Sequence, residues 1–213
     1  RSIINTQYLT GYIQDEYKIT PRFKVNAGAR LNYFSKGDYL RVEPRLTLEY
    51  SPDPALRLQA AYGRYNQFLT LITSEAFSGF DVWLTTDRGV PPAWGDQFVL
   101  GAKVYPIQGY NIEAEVYYRT MRDLFELDPR LPDAAGVDYA ELFRFGDGYA
   151  YGFELMLEKS SGRLNGFIGY TWGVTRRRFQ GYNQDRFFPP KYDRTHDVNI
   201  VANYMLSRKW KST

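Results

Sequence analysis

The chain contains no cysteine among its 213 residues. Without thiols it can form neither a disulfide framework nor a thiolate metal site. It also has no apolar run of the ~18 residues that a membrane-spanning helix needs, and its mean hydropathy is −0.49. Helical membrane spans are therefore excluded. Neither charge is in large excess, because 27 Lys and Arg residues are interleaved with 24 Asp and Glu residues. The charge pattern therefore does not indicate a nucleic-acid-binding surface.

Signals for a catalytic or metal centre are equally scarce. The single histidine, His196, follows Thr195 near a predicted strand start, with no second histidine at metal-ligand spacing and no serine in a nucleophile-elbow context. We interpret His196 as an orienting or hydrogen-bonding residue. The sequence therefore predicts no enzyme, no metal site and no cofactor.

Strict alternation of apolar and polar residues is what the chain does have. From Phe23 to Tyr33 every second residue is apolar or aromatic, and the pattern returns from Val42 to Tyr50. A period of two indicates half-buried β-strands. The predicted strands are longer than the ~5–6 residues usual in soluble sheets and close to the ~9–11 that a tilted strand needs to cross a bilayer.

Nine complete strands and the start of a tenth follow from this pattern. They are residues 5–19, 23–35, 40–51, 56–65, 97–105, 110–121, 149–159, 163–175 and 196–206, and the segment from Trp210 onward. Tight turns alternate with open connections, three of which are long: 66–96, 120–148 and 176–195. Such sorting is typical of an up-and-down barrel whose rims face the periplasm and the exterior.

The predicted fold class is therefore all-β, an antiparallel up-and-down transmembrane β-barrel. No Pro/Gly/Ser-rich linker divides the chain, so residues 1–213 are interpreted as part of one barrel domain. Aromatics collect at strand ends, among them Tyr33, Tyr50, Tyr170 and Trp172. They predict a girdle at headgroup level, with cross-strand packing pairs as the alternative.

Two residues disagree with the simple pattern. Asp15 is in phase with Leu9 and Ile13, which predicts either a bulge near Gly11 or an interfacial position. Pro44 lies inside a predicted strand although it cannot donate to the ladder, so we expect it near the outer rim.

Five phrases in order give the chain a family resemblance: GYIQDEYKIT, VNAGARLNYF, EPRLTLEYSPDPALRLQAAYGRYNQF, YAYGFELMLEK and PPKYDRTHDVNIVANY. Together they resemble the C-terminal β-barrel region of TonB-dependent outer-membrane receptors. The resemblance implies a barrel of about 22 strands filled by a plug domain. This chain lacks a plug, so we expect it to be a portion of such a receptor.

The resemblance further implies partners and location. The expected location is the bacterial outer membrane, and the expected partners are membrane lipid and lipopolysaccharide, a small solute, and the TonB energy-coupling protein, reached through the absent plug. No nucleic-acid partner is expected.

Polar residues of the strands are candidates for the lumen. Residues two apart on a strand share a face, so one face should carry the set Arg41, Glu43, Arg45, Glu113, Glu115 and Arg119. Such side chains can bind a polar plug through charge-assisted hydrogen bonds. General acid/base pairs or calcium ligands are the alternative for the carboxylates.

Long connections supply the candidates for solute binding. The 66–96 connection is rich in aromatics, of which Phe77, Phe80, Trp83 and Trp94 are candidate ligand contacts. Packing between loops is the alternative. The run Arg176, Arg177 and Arg178 is either a solvated face or a contact for lipopolysaccharide phosphates or an anionic ligand.

The function predicted from these features is active uptake of a scarce solute of the siderophore, cobalamin, oligosaccharide or peptide class. A passive outer-membrane channel, or a structural barrel subunit of an envelope assembly, is the alternative from a different class.

Overall fold

The computed structural model describes residues 6–73, 81–128, 138–191 and 193–206. Eleven strands lie in these ranges. Their bounds are β1 Tyr8–Thr20, β2 Phe23–Phe34, β3 Tyr39–Asp53, β4 Leu56–Gln67, β5 Leu69–Thr73, β6 Asp81–Thr85, β7 Ala93–Val104, β8 Tyr110–Leu127, β9 Phe143–Lys159, β10 Leu164–Phe179 and β11 His196–Tyr204.

Nine of these strands form one antiparallel sheet in the order β1-β2-β3-β4-β7-β8-β9-β10-β11, and β5 and β6 form a separate hairpin. Each strand of the large sheet pairs with its neighbour along the chain, which confirms the predicted up-and-down all-β class. The sheet is open, as a portion of a barrel would be. Within the described ranges no helix is long and apolar enough to cross a membrane.

Alternation gives the sheet one apolar face and one polar face. Directly opposed residues form an apolar row through Leu46, Tyr62, Phe98, Tyr118 and Tyr151. No other part of the described chain covers the apolar face, on which Leu100 and Ile200 are 60% and 68% exposed. A soluble monomer rarely leaves so continuous an apolar surface in water.

Connections at the two ends of the sheet differ in length, as predicted. Short turns join β1 to β2, β3 to β4, β7 to β8 and β9 to β10. At the other end a short turn joins β2 to β3, and long connections follow β4, β8 and β10. We call this second end the loop end of the sheet.

Strands at the loop end are longer than the sequence pattern indicated. β8 and β9 continue to Leu127 and Phe143, where the prediction placed a long loop, because their ladder continues through pairs such as Phe125 with Phe145. The 66–96 connection, predicted to be without regular structure, contains the β5–β6 hairpin. The segment from Trp210 lies outside the described residues.

The bulge predicted near Gly11 is wrong. β1 and β2 pair in constant register from Tyr8 opposite Phe34 to Lys18 opposite Lys24, and the register shifts only between Lys18 and Thr20. Asp15 therefore stays on the apolar face, opposite Ala27.

Pro44 marks the loop-end limit of the β3–β4 ladder. This ladder begins at Arg45, opposite Gly63, directly after the proline. A residue without an N–H cannot extend a ladder, so the two strands stop pairing there.

On the polar face, the side chain of Tyr117 lies over two glycines of the neighbouring strands. Tyr117 in β8 lies opposite Gly152 in β9, which lies opposite Gly173 in β10. A Cβ at Gly152 would overlap the carbonyl oxygen of Trp172 and approach the Tyr117 hydroxyl to 2.8 Å. Glycine is therefore required where this ring and the neighbouring backbone come close.

We predict that Gly152→Ala destabilises the full-length protein by ~1–3 kcal/mol, because the new methyl group collides with backbone that cannot move aside. Gly11→Ala is the matched control, since no atom lies within 4 Å of a Cβ there. The check is the heat-induced unfolding midpoint in detergent. An equal midpoint for the two variants would contradict this account.

Candidate functional site

A hydrophobic cluster holds the loop end together. Val90, Phe125 and Phe143 are buried, and Leu84 and Tyr139 pack against them. These five residues, called the loop cluster below, come from the connection after β4, from β8 and β9, and from the connection between them. Packing of this kind fixes long connections that would otherwise lose much entropy on ordering.

Polar contacts tie a third connection to the same cluster. Lys36, in the turn after β2, forms an ion pair with Asp87 at 2.9 Å. The Tyr39 hydroxyl donates to the Asp87 carbonyl oxygen at 2.9 Å, and the Tyr139 hydroxyl donates to the Thr85 carbonyl oxygen at 2.9 Å. Three connections are thereby fixed to one another.

Aromatics of the 66–96 connection have different environments. Phe68 is buried against Tyr8 and Phe34, which is loop packing. Trp94 donates its indole N–H to Asp123 at 2.9 Å, and the Arg64 guanidinium lies 4.7 Å from its ring centre. Trp83, on β6, is 65% exposed and is accessible to a ligand. Phe77 and Phe80 lie outside the described residues.

The arginine run does not form one site, because strand alternation separates its members. Arg176 and Arg178 share the face of Trp172, and Arg177 lies on the opposite face. Each has a carboxylate partner: Arg176 pairs with Asp193 at 3.0 Å, Arg177 with Glu126 at 2.9 Å and Arg178 with Asp147 at 2.9 Å.

Trp94 and Arg178, both predicted ligand contacts, line one cleft at the loop end. This rim cleft has a volume of about 540 Å³. Its other charged lining residues are Arg122, Asp123, Asp147 and Asp185. Three carboxylates against two guanidinium groups make the rim cleft a poor site for an anion.

All six wall residues predicted for the lumen lie on the polar face. Cross-strand pairs hold several of them, such as Glu113 with Lys103 at 3.0 Å. Glu115 lies directly opposite Glu154, and neither carboxylate has a hydrogen bond or ion pair among the described residues. Within those residues no group of three potential metal ligands is found.

The Glu43 side chain supplies a hydrogen-bond acceptor at the point where the β3–β4 ladder stops. Its carboxylate, which is 4% exposed, accepts the backbone N–H of Asn66 at 2.8 Å and that residue's side-chain amide at 3.4 Å. Arg45 lies 3.8 Å from the same carboxylate. The sequence assigned Glu43 to the lumen face but not to this backbone contact, for which the adjacent Pro44 was the available signal.

A second cleft lies on the polar face below the loops. This wall cleft, of about 240 Å³, is lined by Tyr65, Gln67, Gln97, Arg119, Met121 and Leu124, among others. The Arg119 guanidinium donates to the Gln97 side-chain oxygen at 2.8 and 3.3 Å. Sequence reasoning found Arg119 but missed Gln97 and Tyr65, since neutral polar residues on a polar face carry no distinguishing signal.

His196 begins β11, and its Nδ1 lies 2.8 Å from the Tyr170 hydroxyl on the neighbouring strand. This contact agrees with a hydrogen-bonding position at a strand start.

We predict that Glu43→Ala destabilises the full-length protein by ~1–3 kcal/mol, because the partly buried backbone N–H of Asn66 loses its acceptor. Glu43→Gln keeps an acceptor oxygen and should lose less. Glu154→Ala is the control, because no contact holds that carboxylate among the described residues. Unfolding midpoints measure the difference, and equal losses in Glu43→Ala and Glu154→Ala would refute the role of Glu43.

Burial raises the pKa of the Tyr139 phenol above its usual value. Because the folded state favours the protonated phenol, its contribution is complete below the unfolded pKa near 10 and is lost as pH rises toward the raised pKa. We predict that amide hydrogen-exchange protection at residues 84–90 falls over that alkaline range. Tyr139→Phe should lose about 1 kcal/mol of local protection at neutral pH and show less alkaline loss.

Tyr182→Phe, which changes an exposed tyrosine outside the loop cluster, is the control for this experiment. Protection at residues 84–90 that is unchanged in Tyr139→Phe would show that the phenol does not fix the connection.

Comparison with known proteins identifies a family. The family model described as "TonB dependent receptor-like, beta-barrel" matches residues 1–211. No curated protein sequence matches the chain significantly.

Solved structures share the fold. The FpvAI receptor, solved in complex with pyocin S2, superimposes with a TM-score of 0.67 at 14% identity and covers 97% of this chain and 27% of its own. The ferric-catecholate import receptor Fiu of E. coli K12 superimposes with a TM-score of 0.67 at 12% sequence identity. The match covers 95% of this chain and 32% of the Fiu chain. The outer-membrane ferripyoverdine receptor of Pseudomonas aeruginosa superimposes with a TM-score of 0.65 at 14% sequence identity. The match covers 97% of this chain and 26% of the receptor chain.

This chain thus spans about a quarter to a third of the length of these three structures. Such low identities support the fold alone, and the family rests on the match over residues 1–211. With its open up-and-down sheet and its two distinct faces, the chain belongs to the TonB-dependent receptor-like β-barrel family.

Proposed function

We propose that this chain forms part of the barrel wall of a TonB-dependent transporter in the bacterial outer membrane. The observation that carries the proposal is the apolar face of the nine-stranded sheet, which no other described residues cover, together with the mainly polar face behind it. The apolar face contacts lipid and the polar face lines the lumen. The short turns lie at the periplasmic rim and the loop end faces the exterior.

The wall supplies shape and charge to the lumen and no chemistry. Arg41, Glu43, Arg45, Glu113, Glu115 and Arg119 contact a plug domain or the passing solute through charge-assisted hydrogen bonds. The plug, supplied by another part of the polypeptide, receives the pull of the TonB protein. The protein is a transporter and not an enzyme.

The solute enters at the loop end. Because the loop cluster joins three connections, the mouth above the wall cleft is held open in one conformation. Trp83, on the β5–β6 hairpin of the same loop end, is exposed and offers a ring for stacking. Two structural neighbours are a ferric-catecholate import receptor and a ferripyoverdine receptor, which supports a siderophore among the predicted solute classes.

Lipid contact extends to the outer leaflet. Tyr170 and Trp172 lie on the apolar face near the middle of β10, which runs from Leu164 to Phe179, and their rings face lipid there. Arg176 and Arg178 follow them on the same face. Lipopolysaccharide phosphates are the partners proposed for Arg176. Arg178, which lines the rim cleft, stays paired with Asp147.

The test uses the full-length protein reconstituted in planar lipid bilayers. A plugged transporter should show no steady ion conductance until its plug is unfolded with urea. A stable conductance without urea would support the passive channel instead.

A second measurement tests energy coupling. Cells that depend on this protein for growth on limiting iron should lose that growth when the energy-coupling protein is deleted. Growth that is unaffected by the deletion would overturn active transport.

A further inference from the structure

Charged side chains on the polar face are sorted into rows that cross the sheet. One row of directly opposed residues runs through Arg45, Gly63, Gln97 and Arg119. It continues to Gly28 on one side and Ala150 on the other, and contains no carboxylate. We call it the arginine row.

The row four residues nearer the short turns has the opposite character. It runs through Lys24, Glu49, Gln59, Gly101, Glu115 and Glu154, with three carboxylates and one lysine. We call it the carboxylate row. The row between the two is neutral, through Thr47, Ala61, Val99, Tyr117 and Gly152. At ~3.3 Å per residue, about 13 Å separates the arginine row from the carboxylate row.

Neither guanidinium of the arginine row is closely neutralised. Arg119 donates only to the neutral Gln97 amide among the described residues. Arg45 lies 3.8 Å from Glu43, whose oxygen already accepts the Asn66 N–H at 2.8 Å. In the neighbouring rows, by contrast, Lys24 and Lys103 have partners at 3.2 and 3.0 Å, Glu49 and Glu113.

One arginine lines the wall cleft and the other lies beside a residue of its lining. Arg119 lines it directly, and the Arg45 guanidinium lies 5.4 Å from the ring centre of Tyr65, another lining residue. Arg119 is the one charged residue among the described lining residues of this cleft. Three strand spacings of ~4.8 Å place the Arg45 and Arg119 backbones about 14 Å apart.

We propose that the arginine row is a binding site for the anionic groups of the transported solute. The occupant is a molecule with two or more carboxylate, phosphonate or sulfonate groups, large enough to span the two guanidinium groups, with an apolar part against Tyr65 and Met121. Guanidinium forks bind such groups through paired charge-assisted hydrogen bonds. The proposal rests on the transporter function above and specifies the solute class.

The carboxylate row opposes the passage of anions toward the short turns. Its two carboxylates that have no close cation partner among the described residues, Glu115 and Glu154, repel the same anions where they would leave the arginine row toward the short turns. An anionic solute is therefore held at the exterior half of the wall until energy is supplied. A cationic solute would meet the reverse order of rows and bind past the neutral row.

The experiment measures binding of size-matched fluorescent probes to the full-length receptor in detergent, by anisotropy. The anionic probe is pyrenetetrasulfonate and the cationic probe is a pyrene with trimethylammonium groups. We expect the anionic probe to bind more tightly, with an affinity that falls as salt is added.

Variants locate the site. The double variant Arg45→Gln and Arg119→Gln should weaken anionic binding ~100-fold, about tenfold for each lost guanidinium contact. The double variant Lys24→Gln and Lys103→Gln removes the same charge from ion-paired lysines and should change binding less than about twofold. The Arg119→Lys variant keeps the positive charge but loses the planar guanidinium group, so its loss of affinity for the anionic probe should lie between those of the two double variants.

Three results would overturn the proposal: equal binding of the cationic probe, equal losses in the two double variants, or arginine variants that lower only the unfolding midpoint. The last result would assign the arginines to carboxylates of the plug. The conductance of the same preparation is measured in parallel. If the receptor shows no ion conductance, as a plugged barrel should, but also binds no anionic probe, this site is refuted and the transporter function is not.

Discussion

The backbone hydrogen-bond ladder is the constraint on which the rest of the structure depends. Each strand has to pair with both neighbours, and in an extended chain successive side chains then point to opposite faces. Constant register from β1 to β11, apart from shifts near Thr20, Ser51 and Asp123, carries that alternation across the whole sheet. One face is therefore mainly apolar, with Asp15 and Arg176 among its exceptions, and the other is mainly polar. Pairing fixes which residues share a face, and the alternating sequence gives each face its character.

Rows across the sheet are the second level of organisation. Because opposed residues lie side by side, charges from distant parts of the sequence meet in one row, as Arg45 and Arg119 do. Interruptions of the ladder are as informative as its continuity. Pro44 ends the β3–β4 ladder, and the Glu43 carboxylate accepts the Asn66 N–H that the missing ladder leaves without a backbone partner. The loop cluster then fixes the long connections above these strands.

Strand identity, turn sorting and the two faces were predictable from the sequence, since a period of two is read directly from residues such as Val25, Ala27 and Ala29. The extensions of β8 and β9 and the β5–β6 hairpin were not, because strands beyond the bilayer need no apolar alternation. The six wall residues were expected to share one face, and they lie together on the polar face. That this face meets the lumen stays a prediction. The sorting of these residues into rows depends on register, which one strand's sequence does not specify. The arginine run is divided between the two faces, since neighbouring residues on a strand diverge, and its role as a ligand contact stays a prediction.

The central claim is that the apolar face meets lipid and the polar face meets the lumen. This chain has no cysteine, so spin labels can be placed on single introduced cysteines in the full-length receptor, with any cysteine elsewhere replaced. We would compare Val116 with Glu115, its neighbour on β8, by their collisions with oxygen and with a water-soluble nickel complex in bilayers. The account predicts that label 116 collides mainly with oxygen, as in lipid, and label 115 does not. Equal, water-like accessibility at both positions would contradict it.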